Sequence, residues 1–504
     1  MLFRRVAPSA LALAIALSHP ADAATASVPS RPVKNADAVT YNESGSDKYA
    51  KGDLDGAISD YSQAIRLNPK LAKAYYNRGL ARYDKGSLDE AIADYDQAIK
   101  LNPKYEDAYV NRALAKDDAN DHDGAIADEN EALKLDPRDP YAYNNRGWAH
   151  YRKGELDAAL EDYNAAIKID PKLSQAYNDR GVAERDKGDL ARAIADYTHA
   201  IALNPQDDQA FYNRAIARDD KGDTAGAIAD ADQAIRLDPK YADAYVSRAE
   251  VKLECEDWDG AIADYNQALQ LNPKDSAACN ERGLAWYHKG ESSAALADYN
   301  RSLQIDPKNV NAYNNRGNLE KFLGDLSAAM SDYNQALLIN AKCDSAYNDR
   351  GMVKQARGDL AGATADYARA LKLNAKNAEA CSNLSSVHCA QGDWTGAISY
   401  ANRAIQLAGN FSQAYNNRGV AKYNLHDVAG ALADYDRALQ LEPNDEHAYN
   451  NRGLALQAIG DLDGALSDFD LAIRIDPQFS QAQHNRALAK WHAGDVFGAL
   501  ADLF

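Results

Sequence analysis

The chain has 504 residues, and its 56 Lys and Arg residues against 75 Asp and Glu residues give it a formal net charge of -19. This excess of negative charge repels nucleic acid and anionic membrane surfaces, so it excludes nucleic-acid binding and favours basic or neutral partners. The five cysteines are an odd number without C-x-x-C spacing, so we expect small apolar packing residues and not a disulfide framework or a redox site.

The N-terminus has the layout of a cleaved secretory signal. Two arginines precede an apolar run from Val6 to Leu17, and small residues follow up to Ala23. This run is too short to span a bilayer comfortably, and no later stretch is long enough for a transmembrane helix. We therefore expect residues 1–23 to be a signal peptide, residues 24–37 to be a linker, and the mature chain to be exported to the periplasm or secreted.

From about residue 38 the chain repeats itself every thirty-four residues without an insertion. Each unit has the pattern of two helices. In one unit the first helix is predicted from about Ala74 to Lys85, and Gly86 ends it. Ser87, or Asp in most other units, is the predicted N-cap of a second helix that ends before Asn102.

Small and aromatic residues recur at fixed positions of this unit. At positions 4, 8, 20, 24, 27 and 32 they are Tyr75, Gly79, Ala91, Tyr95, Ala98 and Pro103. This pattern resembles the tetratricopeptide repeat, and the resemblance covers residues 38–504 as thirteen full repeats and a partial fourteenth. It implies an all-α fold, an α-solenoid in which helix-turn-helix repeats stack into a right-handed superhelix. First helices would line a concave groove, and second helices would form the outer wall.

An arginine occupies the seventh position of twelve repeats, where the family usually has leucine. A buried charge is costly unless it is paired, and an aspartate follows each arginine sixteen residues later. In the repeat that starts near Ala378 both members become apolar together, as Leu384 and Tyr400. We therefore predict a ladder of ion pairs within repeats; the alternative is that the arginines extend over the core and end in water. The ladder includes the pairs Arg78 with Asp94, Arg146 with Asp162, Arg316 with Asp332, and Arg452 with Asp468.

The resemblance assigns ligand contacts to positions 2, 5, 9, 12 and 13. In the first half of the array these positions include the acidic and aromatic residues Tyr76, Tyr83, Asp84, Asp107, Asp117, Asp118, Trp148, Tyr151, Asp186, Tyr212, Asp219, Asp220, Asp243, Glu250 and Glu254. In the second half they are mostly neutral, with Lys321 and Glu379 nearly alone in carrying charge. We predict that the first half binds basic extended peptide through charge steering and aromatic anchoring. The alternative is that the acids form a solvated face that limits aggregation.

Asparagine is frequent at the fifth and sixth positions. We expect the sixth-position side chain to bond to backbone of the neighbouring repeat, and the fifth-position side chain to face the groove. No repeat has lysine at the fifth position, which chaperone-binding members of the family use to clamp a terminal carboxylate. The sequence therefore does not predict that kind of binding.

No catalytic, metal-binding or cofactor motif stands out from the repeats. None of the ten histidines has a metal-ligand spacing, and the carboxylates belong to the repeat pattern. We expect a non-catalytic scaffold of the cell envelope that binds protein or peptide segments, without cofactor. One alternative is a glycan-binding scaffold of a polysaccharide-export assembly. Another is self-association through the C-terminal end, where Phe497, Leu500, Leu503 and Phe504 have no following repeat to cover them.

Overall fold

A computed structural model describes residues 33–503, which form α-helices without any β-strand. The predicted signal peptide and most of the predicted linker lie outside the described residues. The first helix begins at Val33, a few residues before the predicted start of the array. Within the described part of the chain, no helix is long and apolar enough to cross a membrane.

The chain divides after Asp223 into two compact units, which we describe separately. The first contains α1 (Val33–Ala50), α2 (Leu54–Leu67), α3 (Ala72–Asp84), α4 (Leu88–Leu101), α5 (Glu106–Asp118), α6 (His122–Leu135), α7 (Pro140–Arg152), α8 (Leu156–Ile169), α9 (Ser174–Asp186), α10 (Leu190–Leu203) and α11 (Asp208–Asp220).

The second unit begins with the second helix of a repeat. It contains α12 (Thr224–Leu237), α13 (Ala242–Glu254), α14 (Trp258–Leu271), α15 (Ser276–His288), α16 (Ser292–Ile305), α17 (Val310–Phe322), α18 (Leu326–Ile339), α19 (Asp344–Ala356), α20 (Leu360–Leu373), α21 (Ala378–Gln391), α22 (Trp394–Leu407), α23 (Ser412–Asn424), α24 (Val428–Leu441), α25 (Glu446–Ala458), α26 (Leu462–Ile475), α27 (Ser480–His492) and α28 (Val496–Leu503).

Short local signals set the helix ends. Gly86 has a φ of 81°, a left-handed conformation that suits glycine and ends α3 one residue earlier than predicted. The Asp53 carboxylate accepts a hydrogen bond from the Gly56 amide and caps α2, as the aspartates do in most later repeats. Ser87 occupies the predicted N-cap position of α4, but its side chain makes no capping bond.

Within each unit the helices stack as consecutive helix-turn-helix pairs, which is the predicted α-solenoid arrangement. Each helix packs on the next one along the chain, and the first helices of successive repeats also touch one another, as α3 touches α5. Among the described helices, second helices of successive repeats make no such contact. The first helices therefore lie closer together than the second helices and form the inner side of each stack. We call the surface of the first helices that faces away from the second helices the first-helix face.

The core consists of small residues packed against aromatic rings. Ala91 and Tyr95 on α4 are fully buried, and their equivalents recur through the stack. A Cβ atom at Gly79 would lie only 2.6 Å from Cε1 of Tyr95, so the tyrosine ring rests directly on the backbone of the first helix. This close approach is the physical reason for the glycine in the repeated motif.

The five cysteines are free thiols in different environments. Cys279 and Cys381 are fully buried and belong to hydrophobic clusters, as predicted for packing residues. The prediction is wrong for Cys255, which is exposed at the C-terminal end of α13.

Candidate functional site

The repeated arginines form bidentate ion pairs with the aspartates that follow them. Arg146 on α7 donates from Nε and Nη2 to the two carboxylate oxygens of Asp162 on α8, over 2.9 and 2.5 Å. The arginine side chain is 20% exposed and the aspartate 8%, so the pair is largely withdrawn from water. Every predicted pair that lies within one unit has this geometry, including Arg78 with Asp94, Arg316 with Asp332, and Arg452 with Asp468.

The third nitrogen of each arginine reaches the preceding repeat, a contact that the sequence analysis missed. Nη1 of Arg146 donates to Oδ1 of Asn130 over 2.6 Å, and Nη1 of Arg112 lies 2.5 Å from Oδ1 of Asp96. The partner is the residue sixteen positions before the arginine. The signal was available, because this position is polar before each arginine and becomes Ala368 before Leu384. The arginine thus bonds both within its repeat and to the repeat before it.

Two repeats lack the arginine. In the first repeat the Ser44 hydroxyl donates to Asp60 over 2.7 Å, and in the repeat that begins at Ala378 apolar side chains take the place of the ion pair. Leu384 is 1% exposed and packs in a cluster with Tyr367, and Tyr400 packs against the same cluster. The Ser385 hydroxyl donates to the backbone carbonyl of Ala397 over 2.8 Å, which ties α21 to α22. Ion pair and hydrophobic contact therefore serve the same position of the stack.

A second ladder of buried amides joins successive repeats. The sixth-position Asn213 donates to the side-chain oxygen of the fifth-position Asn178 over 3.0 Å, and both residues are buried. The same contact recurs where Asn485 donates to Asn450 over 2.8 Å. The partner is thus usually a side chain and not the predicted backbone group. The prediction that the fifth-position asparagine faces the groove is also wrong, since this amide is buried in the ladder.

Three of the predicted acidic residues accept hydrogen bonds from tyrosines of the preceding repeat. On the first-helix face of the first unit, Tyr83 donates to Asp118 over 2.6 Å and Tyr151 donates to Asp186 over 2.7 Å. Asp84 accepts the equivalent bond from Tyr49 over 2.5 Å. Burial, together with the carboxylate, raises the pKa of these tyrosines, so they remain donors. The three carboxylates are exposed and lie on α3, α5 and α9, and the equivalent position of α7 is Arg152.

Other predicted residues are withdrawn from the surface. Asp117 is buried, lies 2.6 Å from Nδ1 of His122 and 3.7 Å from Nη1 of Arg152, and its pKa is raised by burial. Tyr212 is buried as well. The ring centroid of Tyr76 lies 4.8 Å from that of Tyr105, which places Tyr76 in the repeat interface. These side chains contribute mainly to packing within the stack and not to an exposed binding surface.

The remaining predicted residues are at least partly exposed to solvent. Trp148 is half-buried against Tyr151, with ring centroids 5.1 Å apart. The acids in this group are exposed or half-buried: Asp107, Asp219, Asp220, Asp243, Glu250 and Glu254. No group of His, Cys, Asp and Glu side chains in the described part of the chain could hold a metal ion.

At the C-terminal end Phe497 is 87% exposed and Leu500 is 44% exposed. The side chains of Leu503 and Phe504, predicted to be uncovered there, lie outside the described residues. Self-association through this end stays a prediction.

Comparison with known proteins places these repeats in one family. Family models described as TPR repeat match residues 45–86, 79–116 and 181–218, and models described as tetratricopeptide repeat match 110–174, 208–241, 246–310, 310–343, 348–412, 412–445 and 446–479. A search of curated proteins gives no match.

One solved structure shows the same kind of fold, and two others are similar over part of this chain. A chain of the APC/C hetero-tetramer Cut9-Hcn1 is 14% identical with a TM-score of 0.54, over 90% of this chain and 96% of that one. A tetratricopeptide repeat protein from Parabacteroides merdae is 20% identical with a TM-score of 0.41, over 49% of this chain and 98% of that one. YrrB, a TPR protein with an unusual peptide-binding site, is 23% identical with a TM-score of 0.30, over 37% of this chain and 96% of that one.

The matched family segments together extend over most of the chain, and the helix-turn-helix stacking of both units agrees with them. The fold is that of scaffolds for protein–protein interaction, which are generally non-catalytic. The chain belongs to the tetratricopeptide repeat family.

Proposed function

We propose that this protein is a non-catalytic scaffold of the cell envelope that binds basic, extended peptide segments on the first-helix face of its first unit. The observation that carries this proposal is the recurring Tyr–Asp contact, which holds Asp84, Asp118 and Asp186 at equivalent positions of their first helices. An extended peptide with lysine or arginine side chains at intervals would meet these carboxylates on α3, α5 and α9, with Arg152 at the equivalent position of α7.

The tyrosine partners make this arrangement suitable for binding. At Asp84 and Asp118 the hydroxyl fixes one carboxylate oxygen and leaves the other for a ligand, so less side-chain freedom is lost when a cation binds. At Asp186 the second oxygen lies 3.3 Å from Nη2 of Arg185, so a ligand cation there would share the carboxylate with this arginine. The tyrosine rings beside the acids add apolar contact for the ligand's aliphatic stems. The envelope location rests on the signal-like sequence at the N-terminus.

The proposal is tested with the triple variant Asp84→Asn, Asp118→Asn, Asp186→Asn. Asparagine still accepts the tyrosine hydrogen bond, so the variant removes charge without removing the contact. At about 0.5 kcal/mol for each exposed charge pair, we expect roughly a tenfold loss of affinity for a capped peptide of alternating lysine and alanine, measured by fluorescence anisotropy. Binding by the unaltered protein should also weaken between low and physiological salt.

The matched control is Asp55→Asn, Asp123→Asn, Asp157→Asn. This variant removes the same number of charges from the same unit. These three acids lie on second helices, are 80%, 83% and 85% exposed, and pair with lysines. We expect this control to bind the peptide like the unaltered protein. An equal loss in both triple variants would show a general effect of net charge and would contradict a defined binding face.

A further inference from the structure

A pocket of about 290 Å³ opens on the first-helix face of the second unit, between α15 and α17. Its walls are mainly apolar, and its lining residues are Leu284, Tyr287, Tyr299, Asn315, Asn318, Lys321 and Phe322. Ligand pockets for drug-sized molecules start at about 300 Å³ and extend to about 1,000 Å³. This pocket therefore has room for one large side chain of a longer ligand.

Two aromatic rings of the pocket lining contact each other. Tyr287 and Phe322 come from successive repeats, and their rings meet edge to face with centroids 6.1 Å apart at 88°. Phe322 is 70% exposed, although burial of such a ring would be favourable. At the equivalent positions of the first unit, Tyr83 donates to Asp118. The contact at this position between successive repeats is thus a hydrogen bond from tyrosine to aspartate in the first unit and a contact between two aromatic rings in the second unit.

The Lys321 ammonium group at the pocket wall has hydrogen-bond donors to spare. In the described part of the chain its polar contacts are Oδ1 of Asp349 at 3.8 Å and the sulfur of Met352 at 3.7 Å. By contrast, Lys354 and Lys422, each one position earlier in its repeat, contact a carboxylate oxygen of Asp366 or Asp434 at 2.7 Å. Lys321 can therefore bind an anionic group of a ligand without giving up a close ion pair.

We propose that this pocket binds an aromatic side chain of an extended peptide whose next residue is acidic. The aromatic side chain packs edge to face with Phe322 and Tyr287, and the adjacent carboxylate pairs with Lys321. This inference rests on the peptide-binding part of the proposed function but not on its preference for basic sequences. The two units would then select opposite charges, with a hydrophobic anchor in the second.

The test uses fluorescence anisotropy of the full chain with a labelled peptide, Gly-Ser-Gly-Trp-Asp-Gly-Ser-Gly, capped at both ends. Two matched peptides replace its tryptophan by alanine or its aspartate by asparagine. We expect each replacement to weaken binding about tenfold. Phe322→Ala should weaken the original peptide by a similar factor, and Lys321→Gln should abolish the discrimination between aspartate and asparagine. Leu338→Ala, a 79% exposed position on α18, is the control and should bind like the unaltered protein.

Three results would overturn the inference. These are equal affinity for the aspartate and asparagine peptides, no effect of Phe322→Ala, and competition by maltohexaose that Phe322→Ala removes, which would assign the pocket to glycan. Circular dichroism would establish that the variants fold. If the acidic aromatic peptide binds while the lysine peptide does not, the basic preference of the proposed function fails and this inference stands. The reverse result rejects this inference alone.

Discussion

The guanidinium group of Arg146 and the carboxylate of Asp162 meet in a bidentate ion pair inside one repeat, and the remaining arginine nitrogen bonds to Asn130 of the repeat before. A single side chain thus holds the two helices of its own repeat together and fixes the neighbouring repeat against them. In a stack whose stability depends on neighbouring units, this dual role makes the arginine a central structural residue.

Replacement of Arg146 by leucine should destabilise the protein by about 3 kcal/mol, because Asp162 is left buried without its main partner. Addition of Asp162→Tyr should recover a substantial part of this loss, since it reproduces the apolar rung of Leu384 and Tyr400. Denaturant unfolding of the two variants measures the difference. Equal losses in the single and the double variant would mean that the two positions are not coupled.

The amide ladder predicts coupling between Asn178 and Asn213. Each single change to alanine leaves a buried amide group without its partner and should cost about 1 to 3 kcal/mol. The double variant should lose less than the sum of the two, as thermal unfolding would show. Asn77→Ala combined with Asn213→Ala is the control and should be additive, since Asn77 bonds instead to Asn42. Additive losses for Asn178 and Asn213 would contradict the ladder.

Glu129 should make stability fall as the pH rises. The residue is fully buried, and this burial raises its pKa well above the ordinary value of 4.5, while the Asn145 amide acts in the opposite direction. The unfolded chain releases this proton near pH 4.5 while the folded chain keeps it. The contribution of protonated Glu129 to the free energy of unfolding is therefore full below pH 4.5. It decreases by up to about 1.4 kcal/mol for each pH unit above the ordinary pKa, until Glu129 ionises in the folded protein as well.

The variant Glu129→Gln has no proton to release at this position. We expect its melting temperature to exceed that of the unaltered protein by a margin that widens from pH 5 to pH 8. Burial and the neighbouring Asp139 raise the pKa of Glu106 to about 8, and the Glu106 and Glu129 carboxyl groups interact, so the difference between the two proteins reports Glu129 together with this interaction. Parallel melting curves across this range would show that Glu129 is already ionised in the folded protein.

Thiol labelling should distinguish the cysteines by exposure. Cys255 is exposed, whereas Cys279 and Cys381 are buried, and burial raises the pKa of both thiols. With a thiol reagent at pH 8 we expect Cys255 to react first, and the variant Cys255→Ser to lose this fast phase. Rapid reaction of all five cysteines in the folded protein would contradict the buried positions of Cys279 and Cys381.

The period of thirty-four residues was sufficient to predict the repeat family, the helix pairs and the pairing of Arg146 with Asp162. The switch of Leu384 together with Tyr400 made this pairing visible without a structure. Contacts between repeats were harder to predict, because a side chain can reach several positions of a neighbouring helix. The Asn130 contact and the burial of Asn178 were missed for this reason, although both follow the repeat.

The candidate binding residues show the same difference between what the repeat pattern predicted and what packing between repeats decided. The family resemblance placed Asp117 and Asp118 side by side in the predicted groove, but Asp117 is buried beside His122 and Asp118 accepts a hydrogen bond from Tyr83. Adjacent residues of a helix point in different directions, and packing of the neighbouring repeats decides which one water can reach.

The sequence by itself determined the helical repeat, its length and its ion pairs, because these depend on hydrophobic periodicity and on charges that must be paired when buried. Only the tertiary structure decided which polar side chains are used between repeats and which remain exposed. It also showed that Phe322 and Lys321 meet at one pocket. Such sites arise where side chains of successive repeats converge, and their accessibility depends on the packing of both repeats together.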